Sequence, residues 1–397
     1  MPVLANYDVC CGCSSCANKC TRGAISMQPD AGGFLTPIID ETICVECKLC
    51  EKACPALIEA KDNTELHNAY LLHHSDEEIR RQSTSGGAFT AISQVVLSKG
   101  GVVYGAIMSD DFIVKHSYVS NEIDLSKFRN SKYVQSEIGL TFREIKIRLK
   151  KGEYICFSGT PCQIAGLKSF LGEDYNNLLT VDVVCHAIPS PFVFQKYVEL
   201  IKKKHPDANK LVFRDKKRGY SYSTMAWYDN NNKEVCRDSY ELDEWYRLFL
   251  HDKCDRSSCY ECIYQNRSRT SDITIWDCYN AHEICPDMDD NKGTTNIMVW
   301  TMKGEEIIKE ATKYATVVPI DYKLTYGSTI NHKRSRPEWD LNTFYDDAHN
   351  MNVEDFFSKY VPRSVKARMA SFARLILWKI GLHDTVRKFI QNKRKSH

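Results

Sequence analysis

The sequence lacks a long apolar run. No stretch approaches the roughly eighteen uninterrupted apolar residues that predict a membrane-spanning helix. The opening stretch MPVLANYDVC shows no basic region followed by an apolar run and no cleavage site, so it does not resemble a secretory signal. We therefore expect a protein of the cytoplasm, a reducing compartment in which its 18 cysteines remain thiols.

The sequence also lacks an excess of one charge. Its 53 basic and 51 acidic residues nearly cancel, which leaves a formal net charge of +2. The overall charge therefore predicts no class of partner, and because no motif offers base-reading chemistry we expect no nucleic-acid partner. A length of 397 residues is typical of two or three domains and is sufficient for an enzyme.

Cysteine, by contrast, is concentrated near the beginning of the sequence. Residues 10–20 read CCGCSSCANKC and residues 44–54 read CVECKLCEKAC. Both runs contain the CxxCxxCxxxC spacing with which bacterial ferredoxins bind 4Fe-4S clusters. A disulfide knot would need a secreted protein. A pair of zinc sites would need spacers of roughly fifteen residues between CxxC pairs. The repeat therefore predicts a two-cluster ferredoxin domain over residues 1–60.

In such repeats, the fourth cysteine of each run crosses over to bind the other cluster. The predicted ligands of the first cluster are Cys10, Cys13, Cys16 and Cys54, and those of the second are Cys44, Cys47, Cys50 and Cys20. This assignment leaves Cys11 without a role.

After a polar linker near residues 60–66, helix and strand signals alternate. YICFSG and LLTVDVVC are typical of buried strands, and each is followed by a helical pattern; beyond residue 210 the signals become hairpin-like. The alternation predicts an α/β core with a mixed, partly parallel sheet and helices on both faces. We divide this core into an N-terminal part, residues 67–150, and a C-terminal part, residues 151–330, followed by a basic tail, residues 331–397.

A second set of cysteines lies in the core. Cys162 and Cys185 each follow a predicted strand, so we expect both at the carboxyl edge of the sheet, where open α/β sheets bind ligands. With the CxxC pair Cys259 and Cys262 they could bind a third 4Fe-4S cluster. Spacing alone leaves other interpretations open, namely a 2Fe-2S cluster or a zinc site, or thiols that are simply buried or redox-active. The ligands of that 2Fe-2S or zinc site would be Cys254, Cys259, Cys262 and Cys278.

Five stretches, in order along the chain, resemble one known family. They are STSGGAFTAI, NSKYVQS, FSGTPCQIAGL, VDVVCHAIPSP and SSCYECIYQNRSRTSDITI. These motifs are similar to those of the beta subunits of coenzyme F420 hydrogenases and dehydrogenases, including members with a fused two-cluster ferredoxin domain. The resemblance implies an α/β core that binds FAD, a further 4Fe-4S cluster close to it, and two-electron chemistry at the flavin.

The resemblance also implies site residues. The ligands of the third cluster would be Cys162, Cys185, Cys259 and Cys262, and the flavin-binding positions would be Ser85, Gly86, Gly87, Lys132, Tyr133 and Gln135. Glycines at a helix N-terminus allow close approach of a pyrophosphate, which free N–H groups and the helix dipole favour. Taken alone, the same residues would equally fit a serine N-cap with a glycine turn and a solvated lysine and tyrosine.

Two departures from the family pattern add bulk near the expected flavin. Residues 276–279 read WDCY where the family usually has a glycine, an aspartate and an aromatic residue, and Ala187 stands where a glycine is common. The sequence therefore leaves two classes of substrate, a small organic molecule and a deazaflavin-like coenzyme. His186 and Asp277 are candidates for proton delivery, although a purely structural role fits both equally well.

The tail carries the excess of positive charge. From Arg363 onward, ten lysines or arginines stand against one acid, Asp384, and apolar residues recur among them. This pattern predicts an amphipathic helix that ends near Gly381. We favour a helix docked on the protein body or on a partner; the alternative is peripheral contact with the inner face of an anionic membrane.

Together these features predict an iron–sulfur flavoprotein oxidoreductase that passes electrons between ferredoxin-type 4Fe-4S clusters and FAD, and acts on a small-molecule substrate. Its expected partner is a redox protein, either a ferredoxin or another electron donor. The alternative is a non-catalytic electron-carrier subunit of a larger redox complex.

Overall fold

The computed structural model describes residues 1–58, 68–222, 224–265, 269–325 and 334–395. The linker expected near residues 60–66 lies outside these described residues.

Strands and helices are numbered in chain order. The strands are β1 (Ile25–Pro29), β2 (Leu35–Ile39), β3 (Asn68–His74), β4 (Val102–Met108), β5 (Val114–Val119), β6 (Ile155–Gly159), β7 (Leu178–Val183), β8 (Lys210–Asp215), β9 (Thr224–Tyr228), β10 (Glu234–Ser239), β11 (Ile273–Asp277), β12 (Thr295–Val299) and β13 (Ala315–Ile320). The α-helices are α1 (Ser15–Lys19), α2 (Leu49–Lys52), α3 (Glu77–Gln82), α4 (Ala88–Ser98), α5 (Thr141–Lys150), α6 (Pro161–Leu171), α7 (Pro191–Lys204), α8 (Glu244–Leu250), α9 (Ser257–Tyr260), α10 (Ala281–Ile284), α11 (Met302–Ala311), α12 (Leu341–Asn350), α13 (Val353–Tyr360), α14 (Val365–Lys379) and α15 (His383–Lys395).

The front segment, residues 1–58, is built as a repeat. β1 and β2 pair antiparallel, α1 lies within the first cysteine run, and α2 lies within the second. Ser14 and Lys48, the residues just before α1 and α2, both have left-handed backbone, with φ of 62° and 58°. They are 34 positions apart in the sequence, which is also the spacing of the cysteines. The backbone therefore repeats with the period of the predicted ligands.

An eight-stranded mixed sheet forms the core. Its strand order is β13-β3-β12-β11-β7-β6-β4-β5. The neighbours β4, β6, β7 and β11 pair parallel, whereas the strands at both ends of the sheet pair antiparallel. Both predicted parts of the core contribute strands to this one sheet. The predicted α/β fold with a mixed sheet is confirmed.

Alternate residues of the central strands face two different helical layers. Val103 and Cys156 pack in the layer that contains α4 and α11. Val102, Ile155 and Phe157 pack in the layer that contains α5 and α6. Because successive side chains of a strand point to opposite faces, both faces of the sheet are covered by helices. Burial of one such large side chain contributes about 1.5–3 kcal/mol.

A smaller antiparallel sheet, in the order β10-β9-β8, lies beside the main one. It contains the hairpin signals expected beyond residue 210. Its apolar side chains share a core with α7, α8, α12 and α13, in which Phe194, Trp227, Trp245 and Phe344 are almost completely buried. This second core covers one side of the edge at which the central strands end.

The parallel strands bring three predicted site residues to one edge of the sheet. Cys162 lies in the first turn of α6, directly after β6, and Cys185 follows β7. Asp277 is the last residue of β11, which pairs parallel with β7. Since the carboxyl ends of parallel strands meet at one edge, the expected position of both cysteines is confirmed.

The tail forms α14 and α15, which meet at Gly381. Gly381 has a left-handed φ of 74°, so α14 ends where the sequence predicted. Among the described helices, none combines the length and apolar character that crossing a membrane requires.

The loop before α4 approaches the sheet very closely at Gly86. The Gly86 N–H donates to Thr295 Oγ1 on β12 at 2.8 Å, and its carbonyl accepts from the His74 N–H at 2.8 Å. A Cβ at position 86 would lie 2.2 Å from the carbonyl oxygen of Leu72. Only glycine fits without displacing backbone atoms.

We expect Gly86→Ala to lower the free energy of unfolding by about 2–3 kcal/mol, because the added methyl group forces the loop away from β3 and β12. Denaturant unfolding of anaerobically purified protein measures the loss. Gly139→Ala is the matched control, since Gly139 has a φ of 56° but open space around a built Cβ. The control should lose about 1 kcal/mol from backbone strain alone; equal losses in both variants would contradict the close approach.

Candidate functional site

A cavity of about 700 Å³ opens at the carboxyl edge of the main sheet. Its walls come from the ends of β6, β7 and β11, the loop before α4, residues 128–136 and Arg214 of the small sheet. Pockets of about 300–1,000 Å³ are typical of sites for organic ligands. The position and the volume together make this cavity the candidate site for an organic cofactor or substrate.

Most of the residues predicted to contact a flavin line this cavity. They are Ser85, Gly87, Lys132, Tyr133 and Gln135. The sixth, Gly86, instead fixes the loop to β12 through its hydrogen bond to Thr295. The structure thus gathers residues from two distant segments, and it gives Gly86 a structural role in the glycine turn.

The N-terminal end of α4 forms part of the wall. Gly87 precedes the helix with a left-handed φ of 88°, a conformation that favours glycine. Ala88, Phe89 and Thr90, the first residues of α4, line the cavity. Because the first N–H groups of a helix are not bonded within it and lie at the positive end of its dipole, this end of the cavity favours an anion.

Lys132 adds a second feature suited to an anion. Its Nζ donates to the carbonyl oxygens of Lys127 and Arg129, both at 3.0 Å. Burial lowers the pKa of the Lys132 ammonium to about 7. A bound phosphate would favour the charged form and would therefore raise this pKa.

Lys216 stabilises the loop that precedes α4. Its Nζ donates to three backbone carbonyl oxygens, including that of Ser85 at 2.8 Å. Burial lowers the pKa of Lys216 to about 7. No sequence signal pointed to this lysine, because its partners are carbonyl groups of two segments that are far from it in sequence.

Tyr133 belongs to an aromatic cluster. One face of its ring stacks on Phe249, with centroids 4.3 Å apart and an interplanar angle of 14°. Phe213 and Tyr246 pack at its edge, and Trp245 Nε1 donates to its backbone carbonyl at 3.2 Å. Phe249 therefore covers one of the two faces of the Tyr133 ring that could stack on a cofactor.

His186 lies at the cavity wall with an acidic partner. Its Nε2 is 2.9 Å from Asp252 Oδ1, and its ring packs against Phe249 with centroids 4.8 Å apart. Burial opposes ionisation of Asp252, but His186, the Ser335 N–H and Arg334 together lower its pKa. This partner was missed by the sequence analysis, because the two residues are 66 positions apart.

Asp277 lies in a network of polar side chains at the end of β11. Arg214 Nη1 lies 3.2 Å from Oδ2, Tyr220 OH donates to Oδ1 at 2.8 Å, and Tyr279 OH donates to Oδ2 at 3.2 Å. Three partners hold this carboxylate, so the structure favours a structural role for Asp277 over proton delivery.

The cysteines of the front segment form two groups. Cys10, Cys13, Cys16 and Cys54, joined by Cys11, surround one small cavity; Cys20, Cys44, Cys47 and Cys50 surround another. Each group contains one cysteine from the opposite run. The arrangement is the one that the crossing rule predicts.

The four core cysteines come together at the carboxyl edge. Cys185 interacts electrostatically with Cys162, Cys259 and Cys262, and Cys259 also interacts with Cys262. Burial raises the pKa of the Cys185 thiol to about 12, and burial also raises that of Cys259. Cys185 is itself part of the cavity wall. The structure thus places these thiols beside the candidate site.

Cys11, which the sequence left without a role, lies between the two domains. Its thiol lies close to those of Cys13 and Cys162. The buried Arg256 holds the neighbouring backbone, since its Nε donates to the Cys10 carbonyl at 2.6 Å. The first thiol group of the front segment therefore adjoins the thiols of the core.

Cys278 packs apart from Cys254 and Cys259 of the alternative site. Cys278 packs with Leu71 and Met288 in one apolar cluster, whereas Cys254 and Cys259 belong to another. In the described part of the chain, no three Cys, His, Asp or Glu side chains have the spacing for a single metal ion. The separate packing of Cys278 therefore does not favour the alternative zinc or 2Fe-2S site with these four ligands, which stays a prediction.

The tail lies at the mouth of the cavity. Arg374 of α14 pairs with Glu241 at 3.2 Å, and Arg387 of α15 donates to the Tyr279 carbonyl at 3.4 Å. Both arginines line the cavity. The tail is docked on the protein body, in agreement with the favoured prediction.

We expect Lys132→Met to change how stability depends on pH. In the folded chain the pKa of Lys132 is about 7, against 10.5 ordinarily, so between these values the unfolded chain binds the additional proton. Stability of the wild type should then rise with pH in this window, relative to the variant, by up to about 1.4 kcal/mol per pH unit. Urea unfolding between about pH 7 and pH 10 measures the slope. Lys127→Met, at an exposed lysine of the same segment, is the matched control; a variant slope equal to that of the wild type would contradict the assignment.

Comparisons with known proteins agree with the two-part organisation. Residues 9–58 match the 4Fe-4S dicluster domain, and residues 152–323 match the C terminus of the coenzyme F420 hydrogenase/dehydrogenase beta subunit. No match was found among curated proteins. Among solved structures, a chain of the F420-reducing NiFe hydrogenase complex from Methanosarcina barkeri has 15% identity and a TM-score of 0.43, covering 76% of this chain and 93% of that chain.

The two family matches contain both cysteine runs and all four core cysteines. The chain therefore carries a 4Fe-4S dicluster domain at its front and, over residues 152–323, the C-terminal region of the coenzyme F420 hydrogenase/dehydrogenase beta subunits.

Proposed function

We propose that this iron–sulfur protein is a flavin-dependent oxidoreductase that passes electrons between 4Fe-4S clusters and FAD, and thereby reduces or oxidises a small-molecule substrate. The observation that carries the proposal is the convergence of four core thiols beside a 700 Å³ cavity whose wall includes Cys185. Iron–sulfur clusters exchange single electrons, whereas a flavin can exchange a hydride, so together they connect one-electron and two-electron chemistry.

The front segment would hold two clusters. The thiols of Cys10, Cys13, Cys16 and Cys54 fit one, and those of Cys20, Cys44, Cys47 and Cys50 fit the other. Cys47 is exposed, so the second group reaches the protein surface. A redox partner, a ferredoxin or another electron-donor protein, would dock on this side.

The core thiols would hold a third 4Fe-4S cluster. Cys162, Cys185, Cys259 and Cys262 come from three segments, and burial disfavours their thiolate forms. Iron compensates this cost, because a coordinated thiol is deprotonated by the positive charge of the metal. Four largely buried thiols are soft donors, which fit such a cluster.

The cavity would hold FAD. The N-terminal end of α4 and Lys132 offer N–H groups and a positive charge to the pyrophosphate. The isoalloxazine ring would then lie towards the ends of β6 and β7, where Gly159 and Cys185 line the cavity. Tyr133, held by Phe249, would bound the ring from one side.

His186 would move the proton. It lies at the cavity wall, three residues after the end of β7 and directly after Cys185, and Asp252 orients its Nε2 at 2.9 Å. A histidine side chain can both take up and release a proton near neutral pH. Asp277 would position Arg214 and Tyr279 at the opposite wall.

The substrate enters the same cavity. Trp276 stands where the family usually has a glycine, and it lines the wall together with Tyr279. The substrate is therefore either a deazaflavin coenzyme of the kind named for the family or a smaller organic molecule. The 18 free cysteines need reducing conditions, so we place the protein in the cytoplasm.

The second candidate function is a non-catalytic electron-carrier subunit. The family name and the exposed second thiol group are compatible with a role inside a larger complex. The two candidates differ in what the isolated chain can do. Turnover of an artificial acceptor by the isolated chain with reduced ferredoxin would exclude the carrier function.

Cofactor analysis of anaerobically purified protein tests the proposal. We expect roughly twelve irons per chain, from three clusters of four, together with one FAD and a broad visible absorbance that bleaches with dithionite. About eight irons without flavin would contradict the catalytic proposal and leave only the dicluster domain.

Cysteine variants locate the third cluster. Cys162→Ser should remove about four irons per chain and leave the signals of the front clusters, because it deletes one of four ligands. Cys156→Ser is the matched control, since Cys156 is fully buried in the same part of the sheet but faces α4 and α11. Equal iron content in the two variants would place the third cluster elsewhere.

Replacement of the proposed proton carrier has a kinetic signature. We expect His186→Gln to lower kcat about 100-fold while iron and FAD content stay unchanged, because general acid–base catalysis contributes about that much. The dependence of kcat on pH near neutrality should also be lost. His251→Gln, at an exposed neighbouring histidine, serves as the control. Unchanged kcat and pH profile in His186→Gln would show that the histidine is structural.

A further inference from the structure

We propose that α14 is a docking surface for an anionic lipid bilayer. Four large apolar side chains point to solvent on this helix: Val365, Met369, Phe372 and Ile376 are 74%, 68%, 64% and 43% exposed. Their spacing of four, three and four residues places them on one face of the helix. Ile380, 59% exposed, continues the line. These five residues are the apolar stripe.

The opposite face of α14 holds the helix on the core. Ser371 Oγ is 2.9 Å from Ser239 Oγ, Arg374 pairs with Glu241, and Trp378 packs edge-on against Tyr222. At about 100° per residue these positions lie roughly opposite the apolar stripe. No residue of α14 is buried. The docking contacts therefore fix the orientation in which the stripe faces outward.

The basic residues beside the apolar stripe indicate which partner binds this surface. Lys366, Arg368 and Lys379 are exposed and flank the apolar stripe on both sides. Four other basic residues of the tail, Arg363, Arg374, Arg387 and Lys388, form ion pairs with acids, so the positive charge beside the stripe comes from these three. A second copy of the chain would bring two such basic surfaces together, which repel each other. An anionic bilayer accepts apolar side chains and attracts the surrounding lysines and arginines.

The apolar stripe has the dimensions of an interfacial helix. α14 has 15 residues, which span about 22 Å at 1.5 Å per residue. Apolar side chains of such a helix enter the headgroup region, while the basic side chains remain near the phosphates. Because Arg374 on the inner face lines the cavity, a bilayer bound to the stripe would lie about one helix diameter, roughly 10 Å, from the cavity mouth. The active cavity would then open close to a membrane surface.

Vesicle sedimentation of the full, anaerobically purified chain tests the proposal. We expect it to sediment with vesicles of phosphatidylcholine mixed with phosphatidylglycerol and to remain in solution with phosphatidylcholine alone. Added salt should weaken the binding, because it screens the basic side chains. A triple variant with Met369→Ser, Phe372→Ser and Ile376→Ser should partition at least about tenfold less, since the stripe supplies the buried apolar area.

Two further variants complete the test. Ile123→Ser, Leu140→Ser and Ile147→Ser together remove equally exposed apolar side chains at 88%, 59% and 56% exposure elsewhere on the surface, and this control should bind like the wild type. Lys366→Glu, Arg368→Glu and Lys379→Glu together should abolish the preference for anionic lipid. Circular dichroism confirms that each variant is folded.

Three results would overturn the proposal. One is equal sedimentation with both kinds of vesicle, and another is equal loss of binding in the stripe variant and its control. The third is a concentration-dependent dimer that disappears in the stripe variant, because a second copy would then cover this surface. Neither the iron nor the flavin enters these measurements, so their outcome is independent of the proposed redox function.

Discussion

The close contact between α6 and the front segment is the constraint on which the rest of the arrangement depends. A Cβ at Gly166 would lie 2.8 Å from Cys13 Cβ and 2.9 Å from its Sγ, so only glycine allows this close contact between the two domains. Cys162 lies one turn earlier on the same helix. The contact therefore brings Cys11 and Cys13 to Cys162, and it makes the thiols of two domains neighbours.

Polar contacts across the same boundary keep this junction closed. The Arg143 guanidinium donates to backbone carbonyls at the end of α1, including those of Asn18 at 2.7 Å and Cys20 at 2.5 Å. Arg256, which is 1% exposed, donates to the Cys10 carbonyl from the other side. Hydrogen bonds from charged donors are among the stronger ones, and a buried arginine without its acceptor is costly. The relative position of the two domains is thus held by groups that cannot easily be left unpaired.

The cavity is bounded on one side by the strand ends of the main sheet and on another by the helical tail, which belongs to a different part of the chain. The strand ends and the loop at Gly86 are fixed by the sheet. The α14–α15 hairpin contributes Arg374 and Arg387, although its own apolar side chains face solvent. One element therefore shapes the entrance to the cavity while its outer surface remains free for contact with other molecules. The same pair of helices therefore carries residues that line the cavity and apolar side chains that are exposed to solvent.

The sequence by itself determined the features that depend on local spacing. The cysteine runs, the alternation of strands and helices, and the position of Cys162 and Cys185 after parallel strands follow from period and order along the chain. Only the tertiary structure decided that Cys11 adjoins Cys162, that Asp252 pairs with His186, and that Cys278 lies apart from Cys259. The reason is physical: these contacts join residues far apart in sequence, and packing of whole elements, not local propensity, sets the distances between them.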